Sequence, residues 1–386
     1  MFGFVHWGLL LCTVSAVDYY ISQYGADSSS GTSPEQAWAT LARANDQAFQ
    51  PSDNLYLMST VPSAVFEGSL IFNATDGGSL HAPVTLSSFG LLRSTISSGQ
   101  VPCVSIVETC GIIVRDIVCI GAGDMGSNGA SGIWLSDNCG DFTGTKYNGV
   151  RIQGVDVSGF TQGVGIISDG NSLSGFTDVV IEEVDAHDNV VTGITSYGMY
   201  VPPDALPRNY AHANVVVRRC NAWNNAGDPT NTNGNTGSGI ELAQIDSALL
   251  EWNTAWNNGA LNGHLGGAGP VGIWTWDSKN VTIQFNVAHH NHNGGTGTDG
   301  AGFDLDGGCV DCVLQYNYAF ENDGPGFELA QFGGAPTFKN ATIRYNLSNN
   351  DGRFMRGGGG VLNVWSGSKP NTPMTDIYIY GNTFYV

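Results

Sequence analysis

The sequence predicts an all-β fold: a single-stranded right-handed parallel β-helix, a solenoid of about nine coils with an N-terminal capping helix. Three observations carry that prediction. Segments of one pattern recur along the chain, asparagines fall in two fixed columns of the repeat, and every repeat holds a second short strand opened by glycine.

In chain order, MFGFVHWGLLLCTVSA comes first, an apolar run ending at Val14-Ser15-Ala16. Small residues at that point suit signal-peptide cleavage, so residues 1–16 read as a signal peptide and the protein as secreted. No later segment is apolar enough to span a membrane. Residues 17–111 read as the N-terminal cap and first coils, with the capping helix near residues 34 to 45. Residues 112–386 read as the β-helix repeats, one continuous domain with the cap.

The repeat is plainest from Val215 onward. VVVRRCNAWNN, ALLEWNTAWNN, VTIQFNVAHHN, CVLQYNYAFEN and ATIRYNLSNND begin at residues 215, 248, 281, 312 and 341. VVIEEVDAHDN at 179 and IYIYGNTFYV at 377 extend the series on either side, and GVRIQGV at 149 and IIVRDI at 112 extend it more weakly. Aligned this way, Cys220, Asn253, Asn286, Asn317, Asn346 and Asn382 share one column. Asn189, Asn225, Asn258, Asn291, Asn322 and Asp351 share a second. Amides stacked at the strand spacing of about 4.8 Å can hand hydrogen bonds from coil to coil, which favours β-coils over helical repeats. The sequon at Asn346 is thereby expected to be a buried rung, whereas those at Asn73, Asn280 and Asn340 carry no such argument against glycosylation.

The second strand of each coil reads GIWL at 132, GIIS at 165, GITS at 193, GIELA at 239, GIWTW at 272, GFDLD at 302 and GFELA at 326. The residue after glycine is apolar and points inward, so the next points outward. The outward column is then Trp134, Ile167, Thr195, Glu241, Trp274, Asp304 and Glu328, with Ala243, Trp276, Asp306 and Ala330 two residues further along the last four coils.

The opening DYYISQYGADSSSGTSPEQAWATLARAN resembles the start of secreted right-handed parallel β-helix proteins of the pectate-lyase-like superfamily: a Tyr-Tyr-Ile-Ser strand, a Gly-x-Asp turn, Gly-Thr-Ser, and a helix near Trp38 to Ala42. With PSDNLYL at 51 and the asparagine-laddered coils, the resemblance covers nearly all of the mature chain and implies a carbohydrate-active protein. It is specific for fold more than for activity. The paired-Asp and His-Gly motifs of polygalacturonases, the Asp-Pro-His of alginate epimerases and the Arg-x-Pro-x-x-Arg of pectate lyases have no counterpart here.

Asp304 and Glu328 on neighbouring coils put two carboxyls about 4.8 Å apart at the backbone, a spacing at which one is held protonated beside an ionised partner. Glycoside hydrolysis requires such a pair. The expected roles are Asp304 as nucleophile or base, Glu328 as general acid, and Asp306 orienting water or a sugar hydroxyl. Glu241 is a further member of the catalytic set. Trp274 and Trp276 are expected to stack on sugar rings, and His290 and His292 to donate to hydroxyls. The partner is then a polysaccharide or oligosaccharide. That hydrolase reading requires no cofactor, and oligomeric state is left open.

Two other readings stand beside it. A polysaccharide lyase would use Ca²⁺ and a basic residue, for which Lys279 and Lys339 are the sparse choices. A non-catalytic module would use the same face for carbohydrate binding or adhesion. The formal net charge of -20 makes nucleic acid and acidic membranes poor partners. Cleavage of the signal would leave seven cysteines, an odd number, and Cys312 and Cys220 fall on inward positions, so buried thiols are expected in place of a disulfide framework. Cys309 and Cys312 have no second pair at ligand spacing to complete a metal site.

Overall fold

The computed structural model describes residues 15–386 apart from 60–62, 124–125, 127–128, 139, 141, 170, 201–207, 266–268, 296–298, 355–359 and 368–372. All but the last two residues of the expected signal peptide lie outside that set, as does Cys139.

Three parallel sheets, of 13, 11 and 10 strands, run the length of a right-handed β-helix. Each coil visits them in that order. The first sheet forms because its segments alternate: Val215 and Val217 are fully buried while Val216 between them is half-buried. Val217, Leu250, Ile283, Leu314 and Ile343 then stack in register on successive coils and fill the space between the sheets. Each such side chain contributes about 1.5–3 kcal/mol of burial. The nine strands read from sequence as coil starts all lie in this sheet, preceded by Asp18–Ile21, Asn54–Ser59 and Val84–Gly90.

The asparagine columns are interior rungs at the two bends. Asn253 Nδ2 donates to Asn286 Oδ1 at 3.0 Å, Asn286 to Asn317 at 3.0 Å, Asn317 to Asn346 at 3.1 Å and Asn346 to Asn382 at 3.0 Å. In the second column Asn189, Asn225, Asn258, Asn291 and Asn322 pass the same bond along, ending on Asp351 Oδ1 at 2.8 Å. Each rung also takes up the backbone N–H of its predecessor, as when Asn253 N donates to Asn286 Oδ1 at 2.9 Å. These bonds hold the residue before each rung in the left-handed region: Trp252, Phe285, Tyr316 and Tyr345 have φ of 59°, 57°, 55° and 55°. Non-glycine residues adopt that conformation at a cost of about 1–2 kcal/mol each, which the ladder offsets.

Glycine opens the third-sheet strands for a related reason. A Cβ on Gly272 would lie 2.7 Å from Asn291 Nδ2, and one on Gly302 would lie 3.0 Å from Asn322 Nδ2. The second ladder and the start of the third sheet therefore occupy one tight corner.

Near the N-terminus, the segment expected as a helix near 34 to 45 divides into a 3-10 turn, Pro34–Gln36, and a five-residue α-helix, Leu41–Asn45. Between them Trp38 is extended, bridges to Ile21 and is completely buried. Cys103, Cys110, Cys119, Cys220, Cys309 and Cys312 carry free thiols, all buried except the half-buried Cys110.

Candidate active site

The outer face of the ten-stranded sheet collects the acids. Glu241, Trp274, Asp304 and Glu328 stand in direct register on the consecutive strands Ser238–Ala243, Val271–Trp276, Ala301–Leu305 and Phe327–Gln331. Thr195 precedes them in the column and Asn363 follows. Ile167 does not belong there. It pairs with Ser136 and Tyr197 two residues along, and Gly165 takes its expected place. The coil's corner glycine is Gly163, whose Cβ would meet Gly193 O at 2.5 Å and Asn189 Nδ2 at 3.0 Å, so counting from Gly165 shifts the strand by two.

The column points away from the solenoid core yet is closed off from solvent. Asp304, Glu328, Glu241 and Trp274 are 4%, 3%, 7% and 5% exposed. Trp274 packs on Val271 and Ala301 and donates from Nε1 to Ser238 Oγ at 3.2 Å, which leaves little ring surface for a ligand. Trp276 is half-buried, between Tyr200 and Phe332 at centroid distances of 6.4 Å to each. It is the more exposed of the two indoles.

The acids differ in how they are satisfied. Glu241 accepts at both oxygens, from Tyr197 Oη at 3.0 Å and from Trp276 Nε1 at 3.0 Å. Glu328 Oε1 accepts from Asn363 Nδ2 at 2.6 Å. Glu328 Oε2 and Asp304 Oδ1 are buried with no hydrogen-bond partner among the described residues. Asp306 Oδ1 accepts from Gly307 N at 2.6 Å. A fifth carboxyl enters from the loop before the strand: Asp299, half-buried, whose Oδ2 accepts from Gly269 N at 2.5 Å.

These five groups make one electrostatic unit. Burial is the largest cause throughout, and for Asp304, Glu328 and Asp306 repulsion from neighbouring acids adds to it. Asp304 is raised well above the usual carboxylate range by burial and by Asp306, Glu328 and Asp299; Glu328 is raised well above it by burial, Asp299 and Asp306. Asp306 is pushed up to about 7 by burial, Asp299 and Glu241. Burial lifts Asp299 to about 6 and Glu241 to about 7. The other groups that shift them are hydrogen-bond donors, with no lysine or arginine among them. Carboxyls raised to different extents in one cluster can hold a protonated and an ionised group side by side near neutral pH, the arrangement that acid–base chemistry uses.

The remaining expected residues have other partners. His290 is the left-handed residue before the Asn291 rung, with φ of 53°, and pairs with Glu321 at 2.8 Å. His292 pairs with Asp323 at 3.2 Å. Both partners belong to the next coil's turn and neither is a cluster acid. Lys279 and Lys339 lie on the first sheet. A cavity of about 510 Å³ also opens on that first sheet, lined by Ile113, Val180, Val216 and Leu249, and none of the five carboxyls lines it. Among the described residues no group of three or more His, Cys, Asp or Glu is placed to hold a metal ion.

Sequence reasoning passed over Asp299, Tyr197 and Asn363. The signal for Asp299 was there in TDGAGFDLD, with three aspartates inside eight positions, but the first falls outside every repeat column.

No protein-family model matches the chain. It is similar to the lacto-N-biosidase of Bifidobacterium longum subsp. longum, 24% identical over 469 aligned positions that take in 97% of this chain. The chain spans only 28% of the length of that curated relative. Among solved structures, the GH136 lacto-N-biosidase from Eubacterium ramulus superposes with a TM-score of 0.68 at 16% identity, over 96% of this chain and 68% of that one. A glycoside hydrolase gives 0.56 at 8% identity over 94% and 97% of the two chains, and pectate lyase Pel9A gives 0.50 at 16% over 95% and 80%. At those identities the structural likeness is one of fold.

Proposed function

We propose that this chain is a glycoside hydrolase acting on an oligosaccharide or polysaccharide through the carboxylates of the ten-stranded sheet. The observation that carries the reading is the cluster itself: Asp304 and Glu328 buried beside the half-buried Asp306 and Asp299, with no lysine or arginine among the described groups that shift them and two oxygens without a partner among the described residues. Solubility does not call for acids in such a place, because burying unpaired carboxyls is costly. Similarity to a lacto-N-biosidase makes lacto-N-biosides the first substrates to test.

Accessibility divides the labour. Asp299 and Asp306 are half-buried and ionise near neutrality, so they are the pair that meets the substrate, one as acid and the other as base or nucleophile. Asp304 and Glu328 are more deeply buried, and the charges of Asp299 and Asp306 help to keep them protonated. The assignment read from the sequence alone, with Asp304 as nucleophile or base and Glu328 as acid, places the reaction on that deeper pair instead. Secretion, expected from the N-terminal segment, fits a polymeric or extracellular glycan.

The test is sugar release from lacto-N-biosides and a polysaccharide panel by wild type, Asp299→Asn, Asp306→Asn, Asp304→Asn and Glu328→Gln. The first two variants are expected to lose about 10²- to 10⁴-fold in turnover. If they keep wild-type rates while Asp304→Asn and Glu328→Gln are dead, the deeper pair carries the chemistry. Unsaturated products that vanish with a chelator and return with Ca²⁺ would replace the hydrolase by a lyase. Binding without release would make the face a recognition module.

A further inference from the structure

We infer that Glu241 is a positioning residue of this site: its carboxylate clamps the Trp276 indole beside Asp306, and it acts through that ring without touching the substrate. The inference rests on the hydrolase reading above and assigns one member of the acidic column a different task from its neighbours.

The geometry is specific. Glu241 is the column acid with both oxygens occupied by side-chain donors, Tyr197 Oη on Oε2 and Trp276 Nε1 on Oε1, each at 3.0 Å. An indole N–H only donates, and an ionised acceptor holds it more strongly than a neutral one. Tyr197 and Trp276 come from the coils on either side of Glu241, so the acid ties three consecutive coils together at one point. Trp276 then stands next to the reacting region. Asp306 N donates to Thr275 O at 2.9 Å, so Trp276 and Asp306 emerge from neighbouring strands at adjoining positions.

The other sides of the ring are fixed as well. Tyr200 and Phe332 flank it, and Tyr200 Oη donates to Gly334 O at 2.7 Å, tying this wall to a loop 134 residues away in sequence. The one polar edge of the indole is therefore anchored by Glu241 and its flanks by aromatic rings. A platform held in this way orients a sugar at low entropic cost, because its rotamer is set before binding. Each Glu241 oxygen already accepts a side-chain hydrogen bond, so the carboxyl's orientation is set by the ring and the phenol it holds.

Glutamine separates positioning from catalysis. Its carbonyl can accept from Trp276 and its amide can donate to Tyr197 Oη, so the clamp survives loss of the charge. With whichever panel glycan wild type hydrolyses, Glu241→Gln is expected to keep kcat within about tenfold, whereas Glu241→Leu raises KM by about tenfold or more with a smaller fall in kcat. A Glu241→Gln variant as inactive as Asp306→Asn, with KM unchanged, would overturn the inference. A second readout needs no turnover. In protein labelled with ¹⁵N-tryptophan, the Trp276 indole signal is the one missing from Trp276→Phe, and it should move strongly in Glu241→Leu and weakly in Glu241→Gln. If that signal is unmoved in Glu241→Leu, the clamp does not exist, whatever the substrate. If wild type hydrolyses nothing on the panel, the hydrolase reading fails while the indole signal still decides whether the clamp exists.

Discussion

Two kinds of polar column climb the same coils. In the asparagine ladders, side chains such as Asn286 and Asn317 are buried, and each is bonded to the rung before it, the rung after it and a backbone carbonyl. In the acidic column, Asp304 and Glu328 are equally buried and equally in register, yet each keeps an oxygen with no partner among the described residues. Amides complement one another when stacked, because each both donates and accepts. Carboxylates stacked the same way repel. The same backbone repeat therefore yields stabilisation in one column and stored electrostatic cost in the other.

The largest expected effect sharpens that contrast on the reactive side. Asp299→Asn and Asp306→Asn should remove about 3–5 kcal/mol of transition-state stabilisation, read as turnover. Activity should trace a narrow bell with limbs near 6 and 7, the values to which Asp299 and Asp306 are lifted, since one must be ionised and its partner protonated. A flat profile across that window would separate these two groups from the chemistry.

Next comes the ladder. Asn317→Leu removes the acceptor of Asn286 N and Nδ2 in the middle of the row. The expected loss is about 1–3 kcal/mol in chemical unfolding. No loss would mean that the row is decorative and the comparison empty.

A smaller effect has the opposite sign. Asp304→Asn should stabilise the fold at pH 8 by about 0.5–2 kcal/mol while lowering activity. The direction follows from linkage. A carboxyl whose folded pKa is raised binds more protons in the native state than in the unfolded chain, so stability declines as pH rises from the ordinary value near 4 toward the raised one. With Asp306 and Glu241 lifted to about 7, wild type should lose stability between about pH 4 and 7, and the variant should lose less. Destabilisation by Asp304→Asn at pH 8 would contradict this.

The smallest effect concerns sulfur. Cys220 and Cys312 are buried thiols within the coils, so reductant should leave the unfolding midpoint within about 0.5 kcal/mol of its value without it. Thiol titration of denatured, unreduced protein should find at least two free thiols.

Much of this was legible in the residues because the fold is a repeat. Val217, Leu250 and Ile283, or Asn253, Asn286 and Asn317, recur at the same place in each coil, so register could be read by alignment, and with it the adjacency of Glu241, Trp274, Asp304 and Glu328. Where the repeat carries two glycines, at Gly163 and Gly165, the alignment slipped and misplaced Ile167. What lay outside the period was not legible. Asp299 and Tyr200 sit on insertions whose length varies from coil to coil, and such loops decide which outward residues are roofed over. His290 reads in the sequence as a donor to substrate; the part of its setting that the period did not disclose is its left-handed bend and its pairing with Glu321 of the next coil.

The asparagine rows also have a grammar. Every rung turns its amide oxygen toward the preceding coil, so the bonds all run one way and the row is polar along the solenoid axis. Such a chain can open only with a residue that gives and close only with one that receives. Cys220 opens the first row by giving its backbone N–H to Asn253 Oδ1 at 2.9 Å. Asp351 closes the second, its Oδ1 receiving both the backbone and side-chain N–H of Asn322 at 2.9 and 2.8 Å, with nothing of its own to pass on. An aspartate in the middle of either row would be a full stop inside a sentence: deamidation of a central rung such as Asn286, a single-atom change with almost no change in shape, should split one cooperative stack into two shorter ones.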